Sequence, residues 1–296
     1  MTDHNRSIVL LTSKAVGLAV LDSVLQHVST VATVDDHGDD RTQLDEITKR
    51  CRDSDIPVHI LSDGRGLDRV VTDAAPRLVV VAGWYWRIPA SVLGLPQLGF
   101  AGLHYSLLPA FRGGSPLVWA LLSGTRTVGA TLFRMTEEID AGPVWGQVSI
   151  SVEEDDDIGS VLERLTPAAA RMVGDAVPKI LDGLVEPLEQ DHTQASYCLQ
   201  RLPNDGRIDW TQDADTITRF IRAQTHPYPG AFAMRRGKAL RIWRARPVNE
   251  AVVGQPGQVA RIGQRVVVAC GGGTGLAVES AESALRSGDR LGAADD

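Results

Sequence analysis

Short apolar runs and amphipathic stretches alternate through the first part of the chain. Residues 7–11 read as a buried strand, 16–28 as a helix, 30–34 as a strand and 42–52 as a second helix; strand-like runs follow at 58–61 and 78–82. Strands separated by helices predict an α/β layer with a mainly parallel sheet, because a parallel connection needs a crossover long enough to hold a helix. The turn TSKAVG after the first strand lacks the G-x-G-x-x-G spacing of a dinucleotide-binding loop, so nicotinamide binding has no support. Beyond about residue 190 the texture changes. Residues 241–244, 258–262 and 265–269 are short strand-like runs broken by Gly and Pro, which suggests a small β-rich second domain. The expected organisation is a first domain over 1–190, a linker over 191–204 and a β-barrel-like domain over 205–296.

Composition narrows the function classes. A chain of 296 residues at 43% apolar and 23% charged suits about two soluble domains and excludes disorder and fibres. Its net charge of −7 provides no overall positive field for non-specific nucleic-acid or anionic-membrane binding. Cys51, Cys198 and Cys270 are odd in number and far apart, with neither metal-ligand spacing nor a disulfide framework, so no metal is expected and a reducing, cytoplasmic compartment is. MTDHNRSIVLL reads as the approach to a strand and not as a secretory signal. Residues 88–111 carry no Asp, Glu, Lys or Arg, but Pro89, Pro96 and Pro109 make them buried loop and strand and not a membrane span. The run GGGTG at 271–275 has no following GK[ST], and strand-like residues on either side make it a turn and not a phosphate loop.

The informative stretch is 78–147: LVVVAGWYWRIP, GFAGLHYSLLPAFRGGSPLVWALLSG and VGATLFRMTEEIDAGPVWGQ. Its ordered motifs are His104 at a strand end, Ser106-Leu107-Leu108-Pro109, Arg112-Gly113 and Asp140-Ala141-Gly142. They resemble the 10-formyltetrahydrofolate-dependent formyltransferase family, which includes methionyl-tRNA formyltransferases and amino-sugar N-formyltransferases. RLPNDGRIDW and IRAQTHPYPGAF resemble the second domain of those members, so the likeness covers nearly the whole chain. It implies a Rossmann-like formyltransferase domain followed by an OB-like barrel, with 10-formyltetrahydrofolate as co-substrate.

By that resemblance His104 relays a proton or stabilises an oxyanion, Asp140 orients the imidazole, and Ser106 shapes the strand exit. A lone His or Asp at such places is most simply a satisfied core histidine and a turn residue; the ordered motif favours catalysis. Gly102 stands where the family has asparagine, two residues before the histidine. Loss of one oxyanion donor typically costs about 3 kcal/mol of transition-state stabilisation, or about a hundredfold in rate. A retained transferase would tolerate Gly102→Asn or gain activity from it, provided the pocket has room. Tyr105 should face away from His104 if the strand continues.

For the folate, the resemblance marks Trp86, Arg87 and Ile88, Gly114, and Thr136, Glu137, Glu138, Ile139 and Asp140, a slot built largely from backbone. The aromatic run at 83–86 reads equally as a core patch. Residues 33–47, where methionyl-tRNA formyltransferases carry a basic insertion, hold six acids against one base, Arg41. That balance disfavours nucleic acid and favours a small amine acceptor: an amino sugar, a nucleotide sugar or an amino-acid-derived amine. As an ordinary solvated loop the acidic run says nothing of the acceptor. The remaining alternatives are a folate-binding or scaffold protein that has lost catalysis, a methionyl-tRNA formyltransferase, and a different one-carbon or acyl transfer or formyl-donor hydrolysis. The sequence carries no signal of oligomeric state.

Overall fold

The computed structural model describes residues 6–292, which divide into two compact units. The first comprises the chain up to Pro116, Thr127–Ser151 and Leu162–Leu199; the second comprises Leu117–Arg126, Val152–Val161 and the chain from Gln200. The stretch 191–204, expected as a linker, is therefore shared between the two, with its part up to Leu199 belonging to the first.

In chain order the elements are β1 (Ile8–Thr12), α1 (Lys14–Val24), β2 (Val28–Val34), α2 (Leu44–Asp53), β3 (Val58–Leu61), α3 (Leu67–Ala74), β4 (Leu78–Ala82), α4 (Ala90–Leu93) and β5 (Phe100–His104). Then come β6 (Arg112–Gly113), α5 (Pro116–Leu122), β7 (Thr127–Arg134), β8 (Val144–Ser151), α6 (Ile158–Leu181) and β9 (Tyr197–Cys198). The seven-stranded sheet has the order β3-β2-β1-β4-β5-β7-β8. It is parallel from β3 to β5 and antiparallel at β7 and β8. A separate parallel pair joins β6 to β9.

β1 explains why the sheet carries helices on both faces. Ile8 and Leu10 pack with Val20 and Leu21 of α1, Ile47 of α2 and Val173 of α6. Val9 and Leu11 point the other way, onto Leu67 and Val70 of α3 and Val92 of α4. A strand buried on both faces reads as a continuous apolar run, as IVLL and the LVVVA of β4 do. The expected helix 16–28 is shorter at its end: α1 stops at Val24, a 3-10 turn covers Leu25–His27, and Val28 already pairs with Ile8. Apolar residues recur on both sides of the change, Val24 and Leu25 before it and Val28 and Val31 after it, so periodicity alone does not mark it.

The second unit holds α7 (Ala214–Arg222), β10 (Ala231–Arg235), β11 (Lys238–Pro247), β12 (Val259–Ile262), β13 (Arg265–Ala269) and β14 (Gly275–Ala281). Its five-stranded sheet, in the order β10-β11-β14-β13-β12, is antiparallel throughout. Ile217 and Ile221 of α7 pack against Ile242, Val268 and Leu276. GGGTG forms the turn between β13 and β14, with a short 3-10 segment at Gly271–Gly273. Among the described residues no helix is long and apolar enough to cross a membrane. Residues 88–111 form α4, β5 and loop that is only partly buried, with Pro89, Gly94, Leu95 and Gln97 exposed, which corrects the expectation of wholly buried loop and strand.

Candidate active site

In a doubly wound sheet the strand order reverses beside β1, which leaves a crevice at the carboxyl ends of the strands. Here a cleft of about 310 Å³ lies at that place in the first unit. Val16 follows β1 into it, Gly83, Trp84 and Trp86 follow β4, and Gly102 to Tyr105 come from the end of β5. Gly113, Pro116, Phe133, Met135 and Asp140 complete the wall. Apolar and aromatic sides with a few polar groups at one end suit a flat heterocycle.

His104 is the last residue of β5, and its ring is held from both sides. Nε2 donates to the Phe111 carbonyl at 2.8 Å, which assigns a hydrogen to that nitrogen. Nδ1 lies 3.5 Å from Asp140 Oδ2, so a proton taken up from the cleft at Nδ1 meets a carboxylate. Both side chains are largely buried, 11% and 17% exposed, where such a pairing is weakly screened. Asp140 Oδ2 also accepts from the Gly113 amide at 2.8 Å.

The backbone that presents these groups is held in left-handed conformations at Phe111 (φ 58°), Ser115 (φ 55°) and Asp140 (φ 51°), an unfavourable state for non-glycine residues that surrounding contacts must enforce. Two motif glycines have steric reasons. A Cβ on Gly113 (φ 103°) would lie 2.3 Å from the Cys198 carbonyl oxygen, and one on Gly142 1.8 Å from that of Arg134.

Hydrogen bonds from distant residues fix the loop. Phe111 N donates to Ser196 Oγ, Arg112 N to Ser196 O and Gly114 N to Cys198 O. The fully buried Arg112 reaches Gln190, which in turn holds the carbonyls of Asp140 and Gly142. Thr131 of β7, also fully buried, donates to Ser106 O at 2.6 Å and accepts from Leu108 N at 3.1 Å and Gln147 Nε2 at 2.9 Å. Sequence reasoning quoted Arg112 only as a motif letter and missed Gln190, Thr131 and Gln147. Gln190 stands 78 residues from Arg112 with no local pattern to mark it.

The predicted residues fall into distinct places. Gly102, His104, Asp140 and Trp86 line the cleft. Ser106 is buried and its hydroxyl donates to Ala110 O at 2.7 Å, so it shapes the loop and does not face the cleft. Ile88 belongs to the apolar core beside Val92. Arg87 is exposed and donates to Glu137 O at 3.4 Å, which ties the segment after β4 to the 136–140 loop. Thr136 Oγ1 donates to Glu138 O, Glu138 Oε1 sits 4.0 Å from Arg112 Nη1, Ile139 is 58% exposed, and Gly114 contributes its amide to the β6–β9 pair. Tyr105 comes after β5 has ended, so strand alternation does not apply to it; it lines the cleft and its hydroxyl pairs with Thr166 Oγ1 at 2.8 Å.

The position beside Gly102 is filled. A Cβ there would lie 2.9 Å from Met135 Cγ and 2.9 Å from Phe133 Cε1. The room on which tolerance of Gly102→Asn depends is taken by two apolar side chains, which would have to shift to admit it.

The acidic stretch after β2 is partly folded onto the protein. Asp36 accepts from Ser13 Oγ, Lys14 Nζ, Tyr85 OH and Thr42 Oγ1, and Asp39 from Lys14 Nζ and Arg41. Burial pushes the Asp36 carboxyl up, but its bonds from Lys14, Thr42 and Ser13 outweigh burial and hold it below the usual carboxylate range. Asp39 is held well below that range, chiefly by Arg41. Asp35, Asp40, Asp45 and Glu46 stay exposed. In the second unit Arg235 and Arg236 pair with Asp289, Arg241 with Glu282, Arg244 with Glu279, and Arg246 with Glu279 and Asp155.

Residues 26–177 match the formyl transferase family model, and residues 202–288 match that of the formyl transferase C-terminal domain. The chain is 34% identical over 221 residues, 74% of its length, to the bifunctional polymyxin resistance protein ArnA of Wigglesworthia glossinidia brevipalpis. It is 31% identical over 215 residues, 72% of its length, to methionyl-tRNA formyltransferase of Enterococcus faecalis. It spans 34% of the first relative's length and 68% of the second's. The solved structure of WlaRD, a sugar 3N-formyl transferase in the presence of dTDP and 5-N-formyl-THF, has a TM-score of 0.67 at 16% identity, covering 95% of this chain and 100% of that one. At that identity the likeness is one of fold.

Proposed function

The chain belongs to the formyl transferase family, and on that premise we propose that it moves a formyl group from 10-formyltetrahydrofolate to the primary amine of a small acceptor. The observation that carries the reading is His104 set between the Phe111 carbonyl and the Asp140 carboxylate, on the wall of a cleft with aromatic and apolar sides. The acceptor nitrogen attacks the formyl carbon, a C–N bond forms, and the bond to the folate nitrogen breaks as that nitrogen takes the proton the amine loses. His104 holds that proton at Nδ1 in transit, with Asp140 stabilising the charged ring, and the Gly113 amide keeps the carboxylate in place. Trp84 and Trp86 after β4 and Met135 after β7 offer flat, apolar contact for the folate heterocycle. Arg87, next to Trp86 of that slot, is bonded to Glu137 of the 136–140 loop, whose Asp140 lines the cleft.

A small amine is favoured over a tRNA by charge. The arginines of β10, β11 and the turn between them that would have to form a basic face share the carboxylates of Asp289, Glu279 and Glu282, and four acids of the 33–47 stretch remain exposed. WlaRD, which matches over the whole of its own length, acts on a sugar amine, and an amino sugar or nucleotide sugar is the first acceptor class to try.

One observation favours a second reading, a folate-binding protein without transfer: residue 102 is a glycine with no side chain to donate to a formyl oxygen, and the nearest side-chain atoms beside it, from Met135 and Phe133, are apolar. Both readings are separated by an absorbance assay for tetrahydrofolate release from 10-formyltetrahydrofolate. It is run against amino sugars, nucleotide-linked amino sugars, amino-acid-derived amines and charged initiator tRNA, with a no-acceptor control. Release that depends on a small amine supports transfer. Release without acceptor indicates donor hydrolysis, and tight folate binding with no release supports the second reading.

A further inference from the structure

Gln190 lies in the stretch between α6 and β9, 7% exposed, and all four hydrogen-bonding positions of its amide are in use. Oε1 accepts from Arg112 Nη2 at 2.7 Å and Nε at 3.2 Å; Nε2 donates to Gly142 O at 2.7 Å and Asp140 O at 2.9 Å. The guanidinium has only donors, so the amide is oriented with its oxygen toward Arg112, and its nitrogen necessarily faces the two carbonyls.

The choice of side chain is informative. Arg112 is wholly buried, and its near partners are neutral acceptors: Gln190, Tyr197 OH at 3.3 Å and His192 Nδ1 at 3.1 Å. The carboxylate of Glu138 stands off at 4.0 Å and is itself two-thirds exposed. A glutamate at 190 would neutralise the buried charge far better. It has no hydrogen to give to Asp140 O or Gly142 O. The amide keeps both donors at the expense of the ion pair, which places the requirement on the loop and not on Arg112. That loop carries Asp140 in a left-handed conformation, with its carboxylate against His104 and the Gly113 amide.

We propose that Gln190 is a positioning residue of the transfer site: bound to Arg112, it fixes the backbone of Asp140 so that the carboxylate meets His104 Nδ1. The role in turnover rests on the formyl-transfer reading, so the test carries one measurement that does not. Gln190→Glu retains acceptors for Arg112 and removes both donors to the loop. Gln190→Met retains volume without any of the four bonds and takes over if the glutamate variant does not fold. The readouts are kcat and the KM for the formyl donor, and hydrogen exchange at the Gly113 amide, whose acceptor is Asp140 Oδ2.

The expected result is kcat lower by about tenfold or more with the donor KM within about threefold, as for a misplaced catalytic group, together with faster exchange at Gly113. An equal loss in kcat/KM through KM alone, unchanged kcat, or an unchanged Gly113 amide overturns the proposal. If the wild-type protein transfers formyl to no amine, the functional reading fails by itself, and the amide exchange alone then decides whether Gln190 holds the loop.

Discussion

A carbon placed on Gly102 would press on Met135 Cγ and Phe133 Cε1 at 2.9 Å, closer than either can stay without moving. Gly102→Asn is therefore expected to destabilise the protein by about 1–3 kcal/mol, the usual range for overpacking, and to leave transfer no faster; urea unfolding and the release assay check both halves. Met135→Ala in the same chain removes one of the two close contacts and leaves Phe133, so the double variant should recover part of the stability lost on the Gly102 side. His104→Ala should reduce transfer by more than about 3 kcal/mol, a hundredfold or more, with folate affinity little changed because the apolar slot is intact. Titrating folate into the variant by fluorescence separates the two effects. That Gly102, His104 and Asp140 come together in one cleft was legible in the sequence because they stand in ordered motifs. Met135 and Phe133 were not, since which side chains fill the space beside a glycine depends on packing across β5 and β7.

At the scale of elements, the strands at 58–61, 78–82 and 265–269 were legible to the residue, because turn-forming or polar residues bound them. α6 was hidden by Pro167 and Pro178 inside it, and β6 and β9 by their length of two residues each. Through one buried hydroxyl Thr131 ties β7 to the loop after β5 with two hydrogen bonds and to Gln147 of β8 with a third. Thr131→Val should cost about 1–3 kcal/mol by leaving the Leu108 amide and the Gln147 amide short of an acceptor, readable as a lower urea midpoint with unchanged slope. The start of α1 and the stretch after β2 are joined by Lys14, Asp36 and Asp39. Because Asp36 and Asp39 are held below their ordinary range in the folded chain, that contribution is complete above about pH 4 and is lost as pH falls toward their folded values. Lys14→Met should accordingly be less stable than wild type at pH 7, and the gap should narrow in unfolding curves measured below about pH 4.

For the whole molecule, charge supplies a test of the proposed acceptor. With a net charge of −7 and the arginines of β10, β11 and the turn between them in ion pairs, charged initiator tRNA is expected to be a far poorer acceptor than a small amine, and filter binding should show no salt-sensitive tRNA complex. Two domains of different texture were legible from strand spacing. That residues 191–199 belong with the first unit was not, since a polar, irregular stretch looks the same whether it tethers or braces. The β6–β9 pair gives this a practical edge. A fragment ending at residue 190 would retain the whole seven-stranded sheet together with His104 and Asp140, yet its Phe111, Arg112 and Gly114 amides would have no acceptors. Anyone shortening this protein to a minimal catalytic piece should end no earlier than Leu199, nine residues beyond where the sequence invites the cut.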